Sequence, residues 1–150
     1  MKAGTFLVRL LLGGCFLYAG CSKAAHLAAF CQALADYQFV PGTLVSLTAL
    51  AVVGLEIVAG LSLVLGFLTQ SAALLLALLS GAMAAAVSTA IGRGLNIPCG
   101  CFDLSDPVDW HHLGLNLLLL SLALFLLRQG GGEWSLDRWL GLNPPAKPPA

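Results

Sequence analysis

The segment "RGLNIPCGCFDLSDPVDWHH", residues 93–112, gathers the side chains best suited to chemistry in this 150-residue chain. Cys99 and Cys101 stand one glycine apart, Asp103, Asp106 and Asp109 follow at every third position, and His111 and His112 close the run. Paired thiols at this spacing support three chemistries: thiol–disulfide exchange, a permanent structural disulfide, or capture of a soft metal such as copper(I), zinc or mercury. A disulfide needs Cα atoms about 4.4–6.8 Å apart. Residues i and i+2 of an extended chain sit at or beyond that limit, so the backbone must turn. Gly100 permits the turn, and Pro98 stiffens its entry. The resulting ring would be small and strained, and strained or exposed disulfides are the more readily exchanged ones. Alternatively, one of the two bridges Cys21 or Cys31 while the other stays available to attack; a sequence does not fix that connectivity. The acids and histidines read as a solvated loop in which Asp109 or a neighbour caps the next helix. A histidine close to a thiol would also raise its thiolate content.

Composition decides what holds this loop. The chain is 59% hydrophobic and 9% charged, with mean hydropathy +0.92, against about 45–50% apolar and about 25% charged residues in a soluble domain. That defines a membrane protein. A net charge of zero gives no footprint for nucleic acid or acidic lipid. No Ser/His/Asp array, glycine-rich phosphate loop, quinone site or other cofactor motif is readable. Four stretches, about residues 4–23, 42–67, 70–92 and 111–129, reach the roughly 20 apolar residues that a spanning helix needs. The expected fold is therefore all-α: a four-transmembrane-helix bundle over residues 1–129, with a short interfacial helix between the first span and Pro41-Gly42. About three residues join the second and third spans in a tight hairpin. Residues 130–150 are expected to form a cytoplasmic tail, with a short amphipathic piece carrying Trp134 and Trp139 and a disordered proline-rich end. The first stretch reads as a retained helix rather than a cleaved leader, because Arg9 interrupts its apolar core and Tyr18 stands three residues before Cys21.

Four spans put both termini on one side. Lys2, Arg128, Arg138 and Lys147 collect there, with Arg9 just inside the first span, against Lys23 and Arg93 on the other. The excess of cations marks the cytoplasmic side, which leaves residues 24–41 and 93–110 facing the periplasm of a bacterial inner membrane, where thiols can oxidise. Cys21 at the outer end of the first span and Cys31 in the interfacial helix then share a face with Cys99 and Cys101. Cys15, about six residues deeper, reads as a small buried hydrophobe. Within the spans an ionisable group is a functional hypothesis by default. Glu56 and Arg9 both fall in the inner half by this count and form a candidate pair. The third span, with Ser80, Gly81, Ala84, Ala85, Ser88 and Gly92, is rich in small residues and expected to pack centrally.

These residues resemble the MauE family, methylamine utilisation proteins within the broader DoxX-like membrane proteins. "GGCFLYAGCSK", residues 13–23, is similar to the family's Gly-x-x-Phe…Ala-Gly-x-x-Lys start. Glu56 and Gly60 in "LEIVAGLSLVLG" resemble its second-helix glutamate and glycine, and "RGLNIPCGCF", residues 93–102, its most specific signature. The chain departs at Asp103, where glycine is common, and at Leu115-Asn116, where Arg-Asn is common. The resemblance implies an inner-membrane protein that forms or reshuffles disulfides in periplasmic clients with a thioredoxin-like partner; in the methylamine system the client is the disulfide-rich small subunit of methylamine dehydrogenase. In that reading Cys99 and Cys101 exchange disulfides, Cys21 or Cys31 resolves, and Gly100, Phe102, Glu56, Arg9, Lys23, Arg93 and Asn116 support them. Two rivals remain at this level: a soft-metal transporter in which Cys15 passes the ion inward, and a non-catalytic accessory subunit stapled by a stable disulfide.

Overall fold

The computed structural model describes residues 2–95, 97–100, 107–130 and 135–141. Cys101, Phe102, Asp103, Asp106, Trp134, Lys147 and the proline-rich end lie outside the described residues. Among the described residues six helices follow in order: α1 (Lys2–Ala25), α2 (Leu27–Asp36), α3 (Val45–Leu65), α4 (Thr69–Gly92), α5 (Trp110–Gln129) and α6 (Leu136–Trp139), with a 3-10 turn at Gly42–Leu44 before α3. α1, α3, α4 and α5 are each long and apolar enough to cross a membrane. At 1.5 Å per residue they run about 30–36 Å, matching a hydrocarbon core of about 30 Å. Their outer faces carry exposed Leu47, Leu50, Val58, Leu61, Leu78 and Leu118, an apolar surface suited to lipid. A helix satisfies its own backbone in that setting, where water cannot.

The bundle is two antiparallel pairs: α1 packs chiefly on α3, and α4 on α5. Between α1 and α3 the backbones nearly touch. A Cβ added at Gly13 would lie 2.8 Å from the Gly60 carbonyl, one at Gly60 would lie 3.0 Å from the Gly13 carbonyl, and one at Gly20 would meet Ile57 at 2.8 Å. The expected central role of the third span is met only in part. Ser80 and Ala84 of α4 are buried, whereas Ala85 and Ser88 are exposed and Gly81 and Gly92 border open space. Glycine supplies close approach on α1 and α3 instead. Leu12, Phe16, Leu63, Leu76, Leu119 and Leu126 fill the shared core.

At the end where α1 begins and α5 ends, three residues link α3 to α4, as the sequence predicts. Gly66 closes α3 with φ +72. The segment around α6 folds back onto this turn. Asp137 accepts from the Leu68 N–H at 2.6 Å and the Thr69 N–H at 2.8 Å, and its own N–H donates to the Gly66 carbonyl at 3.0 Å. The Arg9 guanidinium packs against Gly66, within electrostatic reach of Asp137.

Candidate functional site

At the opposite end, the chain leaving α4 is cinched before it reaches the thiols. Pro98 and Pro107 form an isolated antiparallel bridge, and the Val108 N–H donates to the Ile97 carbonyl at 2.9 Å. The chain on either side of residues 99–106 is therefore held together by this bridge. Gly100 adopts φ +69, the left-handed conformation anticipated for a glycine between two cysteines, and packs on Phe30 and Ala33 of α2. The Tyr37 hydroxyl, just past α2, donates to the Cys99 carbonyl at 3.0 Å. Arg93, capping α4, donates to the Gln38 side chain at 3.4 Å. Gln38 itself holds φ +60, a strained value for a residue with a Cβ. The polar linker after α2 is thus the clamp for the thiol loop.

Cys99 is fully buried and clusters with Val87, and Met83, Ile91, Val108 and Leu113 pack against that cluster. Cys31 packs elsewhere, against the Phe30, Ala49 and Val53 cluster of α2 and α3. Cys21 is exposed on the flank of α1. No disulfide joins Cys15, Cys21, Cys31 and Cys99 to one another. Cys15 also differs from expectation: it is exposed on the lipid-facing side of α1 rather than buried.

The intramembrane pair is not the expected one. Glu56 is bound by Lys23, whose Nζ lies 2.5 Å from Oε1, with each side chain only 3% exposed. Arg9 belongs to the other end of α1. The reason is register: Gly20 packs on Glu56 and Ile57, and Arg9 lies eleven residues away, about 16 Å along the helix. Lys23 reaches Glu56 because side chains on a helix lean toward its N-terminus, here into the bundle. Its ammonium also lies 5.2 Å from the centre of the Phe30 ring.

Lys23 and Glu56 line a small cavity among α1, α3, α4 and α5, of about 10 Å³, bounded also by Ser80, Met83 and Asn116. That is on the scale of one water molecule. Glu56 Oε2 and Ser80 Oγ have no hydrogen-bond partner there, and each such buried group costs about 1–3 kcal/mol unless satisfied. Asn116 donates to the His112 carbonyl at 3.0 Å, tying the cavity to the first turn of α5. Asp109 caps that turn, as the sequence suggested, accepting from the His112 N–H at 3.0 Å and lying 2.7 Å from its ring Nδ1. The His112 backbone N–H, with its ring second, holds the Asp109 carboxyl below the usual carboxylate range. Asp109, His111 and His112 bring one donor atom each within 4.8 Å of one another, a set able to take a cation, although Asp109 is already engaged as the cap.

Sequence reasoning missed Phe30, Met83 and Tyr37. For Tyr37 a signal existed: a tyrosine at the end of an apolar helix buries its ring only where its hydroxyl finds a partner. For Met83 none did.

A four-helix membrane bundle with a clamped thiol loop at one end, seated beside a buried lysine–glutamate pair, is the class of protein these features define. Residues 1–129 match the family described as methylamine utilisation protein MauE, and the chain belongs to that family. A methylamine utilization protein MauE from Paracoccus denitrificans is 32% identical over 120 residues, covering 78% of this chain. The chain spans 64% of that relative's length. No solved structure matches it.

Proposed function

We propose that this chain is an integral membrane thiol–disulfide factor, seated in a bacterial inner membrane with both termini cytoplasmic and the loop of Cys99 and Cys101 in the periplasm. One observation carries the reading. Gly100, next to Cys99, is held at φ +69, the Pro98–Pro107 bridge ties the chain together, and Tyr37 holds the Cys99 carbonyl. A disulfide closed across so constrained a backbone would be strained, and strain makes a disulfide exchangeable. A thiolate of the pair attacks a disulfide sulfur of a thioredoxin-like partner. That bond breaks, a mixed disulfide forms, and the partner's second sulfur leaves as thiolate. The second cysteine then attacks the mixed disulfide, so the pair ends oxidised and the partner reduced by two electrons. Run in reverse against a client dithiol, the same steps hand the disulfide on.

Family membership supports a role in methylamine utilisation, with the disulfide-rich small subunit of methylamine dehydrogenase as client. Cys21 and Cys31 have separate surroundings, so a resolving role for either requires loop movement. Thiol trapping in cells, with mass mapping of mixed disulfides, tests the proposal. The expected result is a covalent intermediate with a thioredoxin-like protein that one of Cys99→Ser and Cys101→Ser abolishes and the other accumulates, with client maturation lost in both while membrane insertion persists. Client maturation at full rate in the Cys99→Ser/Cys101→Ser protein would overturn it.

A further inference from the structure

The turn between α3 and α4 has the wrong residues for a turn in water. Such turns are built from Gly, Pro, Asn, Asp and Ser. This one is Gly66-Phe67-Leu68, and Phe67 and Leu68 are both exposed. Its backbone N–H groups ask nothing of water. The Gly66 N–H donates to the Leu63 carbonyl at 3.1 Å and the Phe67 N–H to the Ser62 carbonyl at 2.9 Å. The next two, of Leu68 and Thr69, go to the two oxygens of Asp137 at 2.6 and 2.8 Å. The first N–H groups of a helix have no partner within the helix and turn to solvent or a cap. Here a carboxylate from a distant segment takes them, as a setting poor in water requires.

The segment that supplies Asp137 carries the other half of the pattern. Asp137 is buried, whereas Leu136, Trp139 and Leu140 around it are exposed, Trp139 at 83%. With Asp137 fixed to the turn, these side chains stand at the same end of the bundle as exposed Leu65, Phe67 and Leu68. Leu65 lies one helical turn beyond exposed Leu61 on the same face of α3, so this apolar collar continues the outer surface of the spans. We infer that the collar of Leu65, Phe67, Leu68, Leu136, Trp139 and Leu140 seats in the boundary between acyl chains and headgroups of the leaflet at this end, with α6 as its anchor. Tryptophan suits that depth, since its ring is apolar and its N–H seeks a polar partner. The opposite end has a counterpart: Trp110, 74% exposed, opens α5. The 20 residues of α5 run about 30 Å, the thickness of a hydrocarbon core. The inference is independent of the exchange role proposed above.

The test is depth-dependent quenching of Trp139 fluorescence in the full-length Trp110→Phe/Trp134→Phe protein, reconstituted in phosphatidylcholine vesicles. Emission is expected to be blue-shifted from that of tryptophan in water and little affected by aqueous iodide. Lipid brominated near the glycerol should quench it about twofold more than lipid brominated near the terminal methyl. Should that protein fail to insert, Trp139→Phe in the otherwise unchanged chain yields the same contrast by difference. Water-like emission, open to iodide and indifferent to brominated lipid, overturns the inference by placing the collar in the aqueous phase. Stronger quenching from the terminal methyl overturns it by placing α6 inside the hydrocarbon core. Lipid quenching that emerges only when the protein is diluted in the bilayer does so too, since a second copy of the chain then covers the collar. Blue-shifted emission that neither quencher reaches also overturns it, by showing that the chain covers Trp139 itself.

Discussion

Helix α1 buries a cation near each end, and the two are handled differently. Arg9, 2% exposed, sits over the α3–α4 turn beside Asp137; Lys23, 3% exposed, reaches Glu56 inside the bundle. Both oxygens of Asp137 accept backbone N–H groups of the turn, so that carboxylate is satisfied by elements that do not move apart without unfolding. Glu56 has one oxygen on Lys23 and the other facing a cavity. The first arrangement closes the end of a hairpin. The second leaves hydrogen-bonding capacity unspent inside the bundle, and an unsatisfied buried polar group in a native protein calls for a structural or functional reason. A charge in the membrane is thus not informative by itself; what its partner's second oxygen does separates the two cases.

The largest expected effect lies at Lys23 and Glu56. Lys23→Met or Glu56→Leu alone strands a buried charge and should destabilise the protein by about 3–5 kcal/mol, whereas the double replacement should recover most of that loss. Thermal unfolding in detergent measures the coupling between the two. Equal losses in the double and single variants would mean that the pair is not the source of the cost. Asp137→Ala comes next. Removing an acceptor for two N–H groups at the start of α4 should cost about 2 kcal/mol, with hydrogen exchange accelerated at Leu68 and Thr69 and alkylation at Cys99 unaffected. A change at Cys99 would show that the two ends communicate, against the division drawn here.

Much of this was legible in the sequence. Spans follow from hydropathy and length, the three-residue hairpin from the gap between spans, the φ of Gly100 from the needs of a Cys-Gly-Cys turn, and the Asp109 cap from its place before an apolar run. The partner of Glu56 was not, because depth counted along each span says nothing of the register between helices. That register is set where Gly13 and Gly60 bring two backbones together, and it places Glu56 level with Gly20 rather than near Arg9. Arg9 in turn finds its counter-ion in α6, a four-residue helix in a segment that reads as tail. Of the candidate site, the lining supplied by Met83 and Phe30 was not readable, since an apolar residue in a helix carries no mark of what it touches.

A smaller effect is expected at Tyr37. Tyr37→Phe removes the hydroxyl that holds the Cys99 carbonyl and should cost about 1 kcal/mol. Its more telling consequence is local: alkylation at Cys99 should speed at every pH, because the hydroxyl that holds its carbonyl is gone.

The smallest effect contrasts Asp109 with Asp137, two carboxylates that cap helices. Asp137 caps α4 from a distant segment and is buried; Asp109 caps α5 from the adjoining residue and is exposed. An exposed, local cap should respond to pH without consequence for the rest of the bundle. The His112 N–H holds the Asp109 carboxyl below its ordinary value, so the folded state binds this proton less readily than the unfolded chain. Its contribution is therefore complete above the ordinary carboxylate range, near pH 4, and is lost as pH falls through the lowered folded value. Hydrogen exchange at the His112 amide should speed only in strong acid, and Asp109→Asn, which keeps an acceptor for that N–H, should remove most of the pH dependence. Fraying that spreads from this turn to Cys99 would show that the cap also holds that cysteine in place, because Val108 and Leu113 on either side of it pack against the Val87–Cys99 cluster.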